Sequence, residues 1–302
     1  MSSNATSPAD LASDALLEKI RERNSVLDRF FYDVDAITQE EARLLDPWQA
    51  VEGSIIIVPP TGGGSLVPCA SVEDFAANGG AGVKVLAIAG VGSSALGSAA
   101  FARNVADALG QPVAAVVSGY GMSDLITEAF SGAFFFGALN QFRHLFEKFD
   151  RPVEPPRSAN EAISLEAMTA PPRHRNDIET VVELLTDERF TFRLLTGHSK
   201  GNLVASEALY AIRRDKPERL RDLARDLVII TVSASITMPR EFRQVIDVIG
   251  RLDWFGKMNS TWMGLPEVVW AGAWHDTSRR NWHHLPVEKV IRHVVELYRL
   301  SI

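Results

Sequence analysis

A single cysteine, Cys69, in 302 residues excludes an internal disulfide and any metal site built from several thiolates, so packing rather than covalent staples must hold the fold. Basic residues are in deficit. With 31 Lys and Arg against 38 Asp and Glu, the formal net charge is -7, which leaves no electrostatic footprint for a phosphate backbone, and no nucleic-acid partner is expected. Long apolar runs are also missing: stretches 83–89 and 129–139 are too short or too interrupted for a membrane-crossing helix. The first residues lack a basic start followed by an apolar core, and so read as a polar leader rather than a secretory signal. A reducing, cytoplasmic setting fits these absences. No His-Glu-x-x-His occurs, and His283-His284 are adjacent rather than spaced along a helix face, so neither metal nor cofactor is expected.

What is present suffices for one large α/β domain with an insertion, or for two modest domains, since 46% of the residues are hydrophobic. Over residues 11–43 apolar side chains (Leu16, Leu17, Ile20, Val26, Leu27, Phe30, Phe31) recur at helical spacing. This predicts one or two amphipathic helices packed outside the core. The β-branched run 54–58 reads as a strand ending at Pro59-Pro60-Thr61-Gly62-Gly63-Gly64, which reads as a surface hairpin turn. A second apolar strand, 83–89, stops at Gly90-Val91-Gly92-Ser93-Ser94 and gives way to a helical pattern through Phe101, Val105 and Leu109, then to strand 112–117.

Strand, glycine-rich turn, helix and strand is the grammar of a buried parallel sheet. It recurs as helix 177–185, strand 190–195, a turn at Ser199, helix 203–212 and strand 226–232. Strands 244–249 and 267–271 and a closing helix 286–300 complete the expected doubly wound, mostly parallel α/β layout. Between about 122 and 175 the grammar breaks into aromatic, small and proline residues. That segment is read as a helical cap or lid over the sheet's C-terminal edge, inserted in a domain spanning 51–302 and preceded by a leader and helical extension over 1–50. Its Phe130, Phe134, Phe135 and Phe136 suit either a buried helix or the lining of an apolar pocket.

The stretch Leu194-Leu195-Thr196-Gly197-His198-Ser199-Lys200-Gly201-Asn202-Leu203 meets the context test for a nucleophile elbow. A strand enters, a helix leaves, and the turn between them must hold the serine in a strained conformation with its hydroxyl exposed. Side chains at positions 197 and 201 would collide with neighbouring elements. The Gly90-x-Gly92 turn also matches part of a phosphate-binding loop, but the third glycine of a dinucleotide fingerprint falls at Ala95, and no Gly-Lys-Ser/Thr appears.

Residues from 83 to the end, and the wording Gly-His-Ser-Lys-Gly-Asn above all, resemble the α/β-hydrolase superfamily, especially its lipase-like and esterase-like members. The resemblance implies the chain order nucleophile, acid, histidine. Asp253, in a strand followed by Gly250-Arg251-Leu252-Asp253, would be the acid, with a turn or helix-cap aspartate as the alternative; Asp247 lies inside the strand and away from the catalytic edge. His275, 22 positions after Asp253, would be the base, with His284 and His283 as competitors. The oxyanion donors would be the amides of Lys200 and of Val91 or Gly92. Thr61 stands where a His-Gly-Gly-Gly oxyanion loop would have histidine. The expected activity is hydrolysis of a small-molecule carboxylic ester with an apolar acyl or alcohol part, through a Ser199-His275-Asp253 triad. The alternatives are a thioesterase or acyltransferase with the same triad, or a non-catalytic binding module.

Overall fold

The computed structural model describes residues 28–46, 51–90, 93–118, 176–258, 260 and 266–302. The expected cap at 122–175, the first helical repeats before residue 28, and Val91 and Gly92 lie outside them. The strands are β1 Ile55–Val58, β2 Val67–Cys69, β3 Val85–Ile88, β4 Val113–Val116, β5 Leu194–His198, β6 Val228–Val232, β7 Val245–Gly250 and β8 Val268–Trp270, and burial on both faces accounts for the unbroken Val, Ile, Leu and Ala runs of β1, β3 and β4. They form one sheet in the order β2-β1-β4-β3-β5-β6-β7-β8. Every pairing from β4 to β8 is parallel, whereas β1 runs antiparallel to both β2 and β4. The Gly62-Gly64 segment is thus the connection of an antiparallel β1-β2 pair. Pro68, which can donate no ladder hydrogen bond, sits in β2 at the sheet's edge.

Side chains alternate between two cores. Val85 and Ala87 of β3 face one cluster with Leu194, Val228, Ile230 and Val232; Leu86, Ile88, Leu195 and Ile229 face the other. Among the described residues eight α-helices accompany the sheet: α1 Gln39–Leu45, α2 Val72–Ala77, α3 Ala95–Leu109, α4 Asp177–Thr186, α5 Lys200–Asp215, α6 Pro217–Asp226, α7 Trp254–Met258 and α8 Val287–Tyr298. Helices α3 and α8 cover the first face, and α2, α4, α5 and α6 cover the second. The architecture is therefore α/β with a mostly parallel eight-stranded sheet. Helix α3 starts where the Ser94 side chain accepts from the Leu96 N–H and ends at Gly110, whose φ of 66° places it in the left-handed region that closes helices.

Residues 28–46 do not pack outside the core as the sequence pattern predicts. Tyr32, Ile37 and Leu45 are buried in the same cluster as α3 and α8, and Glu41, part of a capping box with Thr38, pairs with the buried guanidinium of Arg103 on α3. Strand β5 also differs from its expected span of 190–195. Phe190 and Phe192 alternate like strand residues but are buried ahead of the strand, with the Phe190 ring 5.1 Å from that of Phe75, and β5 itself runs to His198. Helix α6 escapes the apolar pattern because its sequence is mostly charged, with only Leu220 and Leu223 buried. Among the described residues no helix is long and apolar enough to cross a membrane.

Candidate active site

Parallel strands bring their C-terminal ends to one edge, and three of the expected residues meet there. Ser199 follows β5 directly and is the first residue before α5, Asp253 follows β7, and His275 follows β8. A serine at that helix-capping position normally accepts a hydrogen bond from the first turn. Ser199 makes no such bond: its φ of 53° and ψ of −118° turn the side chain away, and its Oγ lies 3.0 Å from His275 Nε2. A non-glycine residue at positive φ stores roughly 1–3 kcal/mol of strain. Its backbone holds it there, because the Ser199 N–H donates to Val232 O at 2.9 Å and Ser199 O accepts from the Asn202 N–H at 3.1 Å.

The flanking glycines leave no side chain in the tight space around this corner. A Cβ at Gly201 would sit 2.1 Å from the Ile88 carbonyl oxygen, and one at Gly197 would sit 2.5 Å from Asn202 Oδ1. Helix α5 can therefore approach β3 closely, and Ser199 sits half-buried at the corner between β5 and α5.

Behind the serine, His275 Nδ1 faces both Asp253 oxygens, at 3.1 and 3.0 Å. Asp253 is fully buried and His275 nearly so. The carboxylate fixes the ring with its proton on Nδ1 and leaves Nε2 as an acceptor towards the Ser199 hydroxyl. Asp253 also meets the helix-cap alternative, since its Oδ1 accepts from the Gly256 N–H at the start of α7, at 2.5 Å. Asp247 sits within β7 as expected, hydrogen bonded by the Thr231 and Ser235 hydroxyls, and burial raises its carboxyl above the usual range.

The structure does not bring the other two histidines to the serine. His283 Nδ1 lies 3.2 Å from Gly272 O, and His284 Nδ1 lies 2.8 Å from Asn281 O. His284 also lines a separate charged cavity of about 360 Å³ with Asn104, Thr277, Arg279 and Glu288.

Lys200 opens α5, so its backbone N–H belongs to the first helical turn, where the helix itself supplies no acceptor. Its half-buried ammonium is pushed down to about 8 by burial, opposed by the charge of Glu52. Glu52 is itself raised, by burial and then by Asp177. Asp177 accepts from the Ser118 hydroxyl at 2.7 Å, so the chain leaves β4 and re-enters at α4 at one point on this edge. Among the described residues no group of three His, Cys, Asp or Glu side chains is placed to hold a metal ion.

Sequence reading missed residues that touch the site from elsewhere in the chain. His198, the second residue of the pentapeptide, is completely buried, and burial pushes its imidazole down to about 3. Its Nδ1 is 3.1 Å from the Tyr32 hydroxyl and its Nε2 is 2.9 Å from the His275 carbonyl oxygen. The Ser233 hydroxyl donates to that same carbonyl at 3.2 Å. Tyr32 carries no local signal beyond its place at the end of a helical pattern, because its partner lies 166 residues away. Compared with models of known protein families and with curated proteins, the chain shows no match.

Proposed function

We propose that the protein is a serine hydrolase of the α/β-hydrolase type that cleaves carboxylic esters through an acyl-enzyme on Ser199. The observation that carries the reading is the continuous line from the Ser199 hydroxyl to His275 Nε2 at 3.0 Å and from His275 Nδ1 to the buried Asp253 at 3.0 Å, with the serine at positive φ. A hydroxyl is a weak nucleophile at its ordinary pKa, and an adjacent base oriented by a third group is what activates it.

In this scheme Ser199 Oγ attacks the ester carbonyl carbon while its proton passes to His275 Nε2, and Asp253 stabilises the imidazolium that forms. The oxyanion is held by the Lys200 amide and a second amide from the turn after β3, the position assigned to Val91 or Gly92. Each such donor is worth on the order of a hundred- to thousandfold in rate. The tetrahedral intermediate collapses, the ester C–O bond breaks, and His275 returns the proton to the departing alcohol. Water then enters by the same route and releases the acid. Steps of this kind require no cofactor.

The test is turnover of p-nitrophenyl esters of increasing acyl length by wild type, Ser199→Ala, His275→Ala and His284→Ala, with acyl-CoA as a competing substrate. Turnover lost in the first two variants and kept in the third supports the reading. Silence of the wild type across the whole series contradicts it, and preference for acyl-CoA moves the leaving group from alcohol to thiol.

A further inference from the structure

Residues 28–32 form a helical turn, and every one of them reaches the proposed site or the loops that carry it. The Tyr32 N–H donates to Asp28 O at 2.8 Å, which places the two side chains one turn apart on the same face. They grip the two described ends of the turn after β3. The Gly90 N–H donates to Tyr32 Oη at 2.6 Å, while Asp28 accepts from the Ser94 N–H at 3.2 Å and from the Ser94 hydroxyl. The backbone of the same helical turn holds the segment after His275. Phe31 O accepts from the Thr277 N–H at 2.7 Å, Phe30 O from Asn281 Nδ2 at 3.2 Å, and Arg29 O from the Ser278 hydroxyl at 3.2 Å. The Phe31 ring also stands edge-on to the His275 ring, 6.3 Å between centroids.

The direction of the hydrogen bonds through Tyr32 follows from chemistry. At one end Gly90 N–H can only donate; at the other His275 C=O can only accept. The Tyr32 oxygen therefore receives the Gly90 N–H, and its one proton goes to His198 Nδ1. His198 must then carry its own proton on Nε2 and donate it to His275 O. The opposite tautomer would set the His198 Nε2 lone pair against that carbonyl, 2.9 Å away. The four groups thus share one consistent arrangement, and Tyr32 and His198 are both buried, away from bulk water. A further consequence is that the Gly90 N–H is committed to Tyr32, so it does not serve as an oxyanion donor.

We propose that Tyr32 is a positioning residue for the reaction on Ser199: through His198 its hydroxyl ties the turn after β3 to the backbone of His275, and so fixes the base relative to the nucleophile. The inference rests on the serine-hydrolase reading. Contact between the turn and the elbow is close enough to transmit a shift, since a Cβ at Gly90 would lie 2.9 Å from His198 O and 3.1 Å from the Ser199 Cβ.

The experiment compares wild type, Tyr32→Phe, His198→Leu and the double variant in steady-state ester hydrolysis, with folding checked by circular dichroism. Tyr32→Phe keeps the ring and removes only the hydroxyl, and is expected to lower kcat about ten- to hundredfold, the scale of a sub-ångström to ångström misplacement, with KM within about twofold. His198→Leu is expected to lower kcat similarly, and the double variant to fall no further than the worse single, because both remove the same chain. His198→Gln, whose amide can accept from Tyr32 and donate to His275 O, should restore kcat to within a few-fold, and it replaces the leucine variant should that one not fold. A Tyr32→Phe enzyme within twofold of wild-type kcat overturns the proposal, as do losses that multiply in the double variant. Labelling of wild type with a fluorophosphonate separates the two readings. Absence of a Ser199 adduct in wild type sinks the hydrolase assignment, whereas an intact adduct with an unimpaired Tyr32→Phe sinks only the positioning role. Independently of turnover, ¹⁵N NMR should find His198 neutral with its proton on Nε2 from about pH 5 to pH 8; a protonated Nδ1 overturns the chain.

Discussion

Replacing His198 by glutamine should make the protein less sensitive to acid, and the size of the effect follows from the burial of the ring. In the unfolded chain an imidazole takes up its proton near its ordinary value of 6.5, whereas in the folded protein burial pushes His198 down to about 3. Between these values the unfolded state binds more protons, so stability from this group is intact above 6.5 and falls as the pH drops towards 3. Integrated from about pH 8 to about pH 5, the loss is on the order of 2 kcal/mol. Asp28 acts in the opposite sense. Burial raises its carboxyl from 3.8 to about 7, so the folded state keeps a proton that the unfolded chain releases, and stability from this group falls as the pH rises through that window. The two windows overlap, and the pH curve of wild type alone therefore mixes them. The difference between wild type and His198→Gln isolates the histidine. In urea unfolding, the stability of the variant relative to wild type should increase by about 2 kcal/mol on going from about pH 8 to about pH 5, with little change above pH 7. A difference that stays constant across that range would refute the argument that the ring is buried as a neutral group.

Gly201→Ala forces a Cβ to within 2.1 Å of the Ile88 carbonyl oxygen and 2.7 Å of that of Ala89; both are backbone atoms of a central strand and its end, so a cost of about 1–3 kcal/mol or more is expected in urea unfolding, and an unchanged midpoint contradicts the close packing of α5 on β3. Asp253→Asn removes the acceptor that selects the His275 tautomer, and kcat should fall on the order of 10³- to 10⁴-fold with KM nearly unchanged; an active asparagine variant removes Asp253 from the mechanism. Cys69 is buried, and its thiol is pushed up to about 12 by burial and then by Asp74. Ellman's reagent should therefore find no thiol in the native protein and one in urea, and rapid reaction under native conditions contradicts this.

Much of the sheet is legible in the sequence because its strands are buried on both sides. Runs such as Val85–Ile88 and Val228–Val232 are apolar at every position but one, Thr231, and the turns after them are marked by glycine or serine. Elements that rely on other contacts are harder to read. Strand β2 is three residues with a proline at its centre, helix α6 shows two buried leucines among charges, and Phe190 and Phe192 imitate a strand because core packing and strand alternation ask for the same residue types. At the site, Ser199, Asp253 and His275 are legible because each follows a strand at the same edge, which topology makes into one place. The sequence favours His275 over His284 and His283 by its place after the last strand, whereas its contacts, Nε2 3.0 Å from Ser199 Oγ and Nδ1 3.0 Å from Asp253, join residues far apart in the chain. Tyr32 and Asp28 were invisible for the same reason, since hydrogen bonds spanning 166 and 66 residues leave no periodic trace.

The central claim is that the hydroxyl of Ser199 is activated by His275. Incubation with a fluorophosphonate followed by peptide mass mapping addresses it most directly, because the reagent is attacked by an activated serine without needing the natural substrate. A single adduct on Ser199 in wild type, formed on the order of 10³-fold or more slowly in His275→Ala, is the predicted result. An adduct on another residue, or labelling of His275→Ala at the wild-type rate, contradicts it.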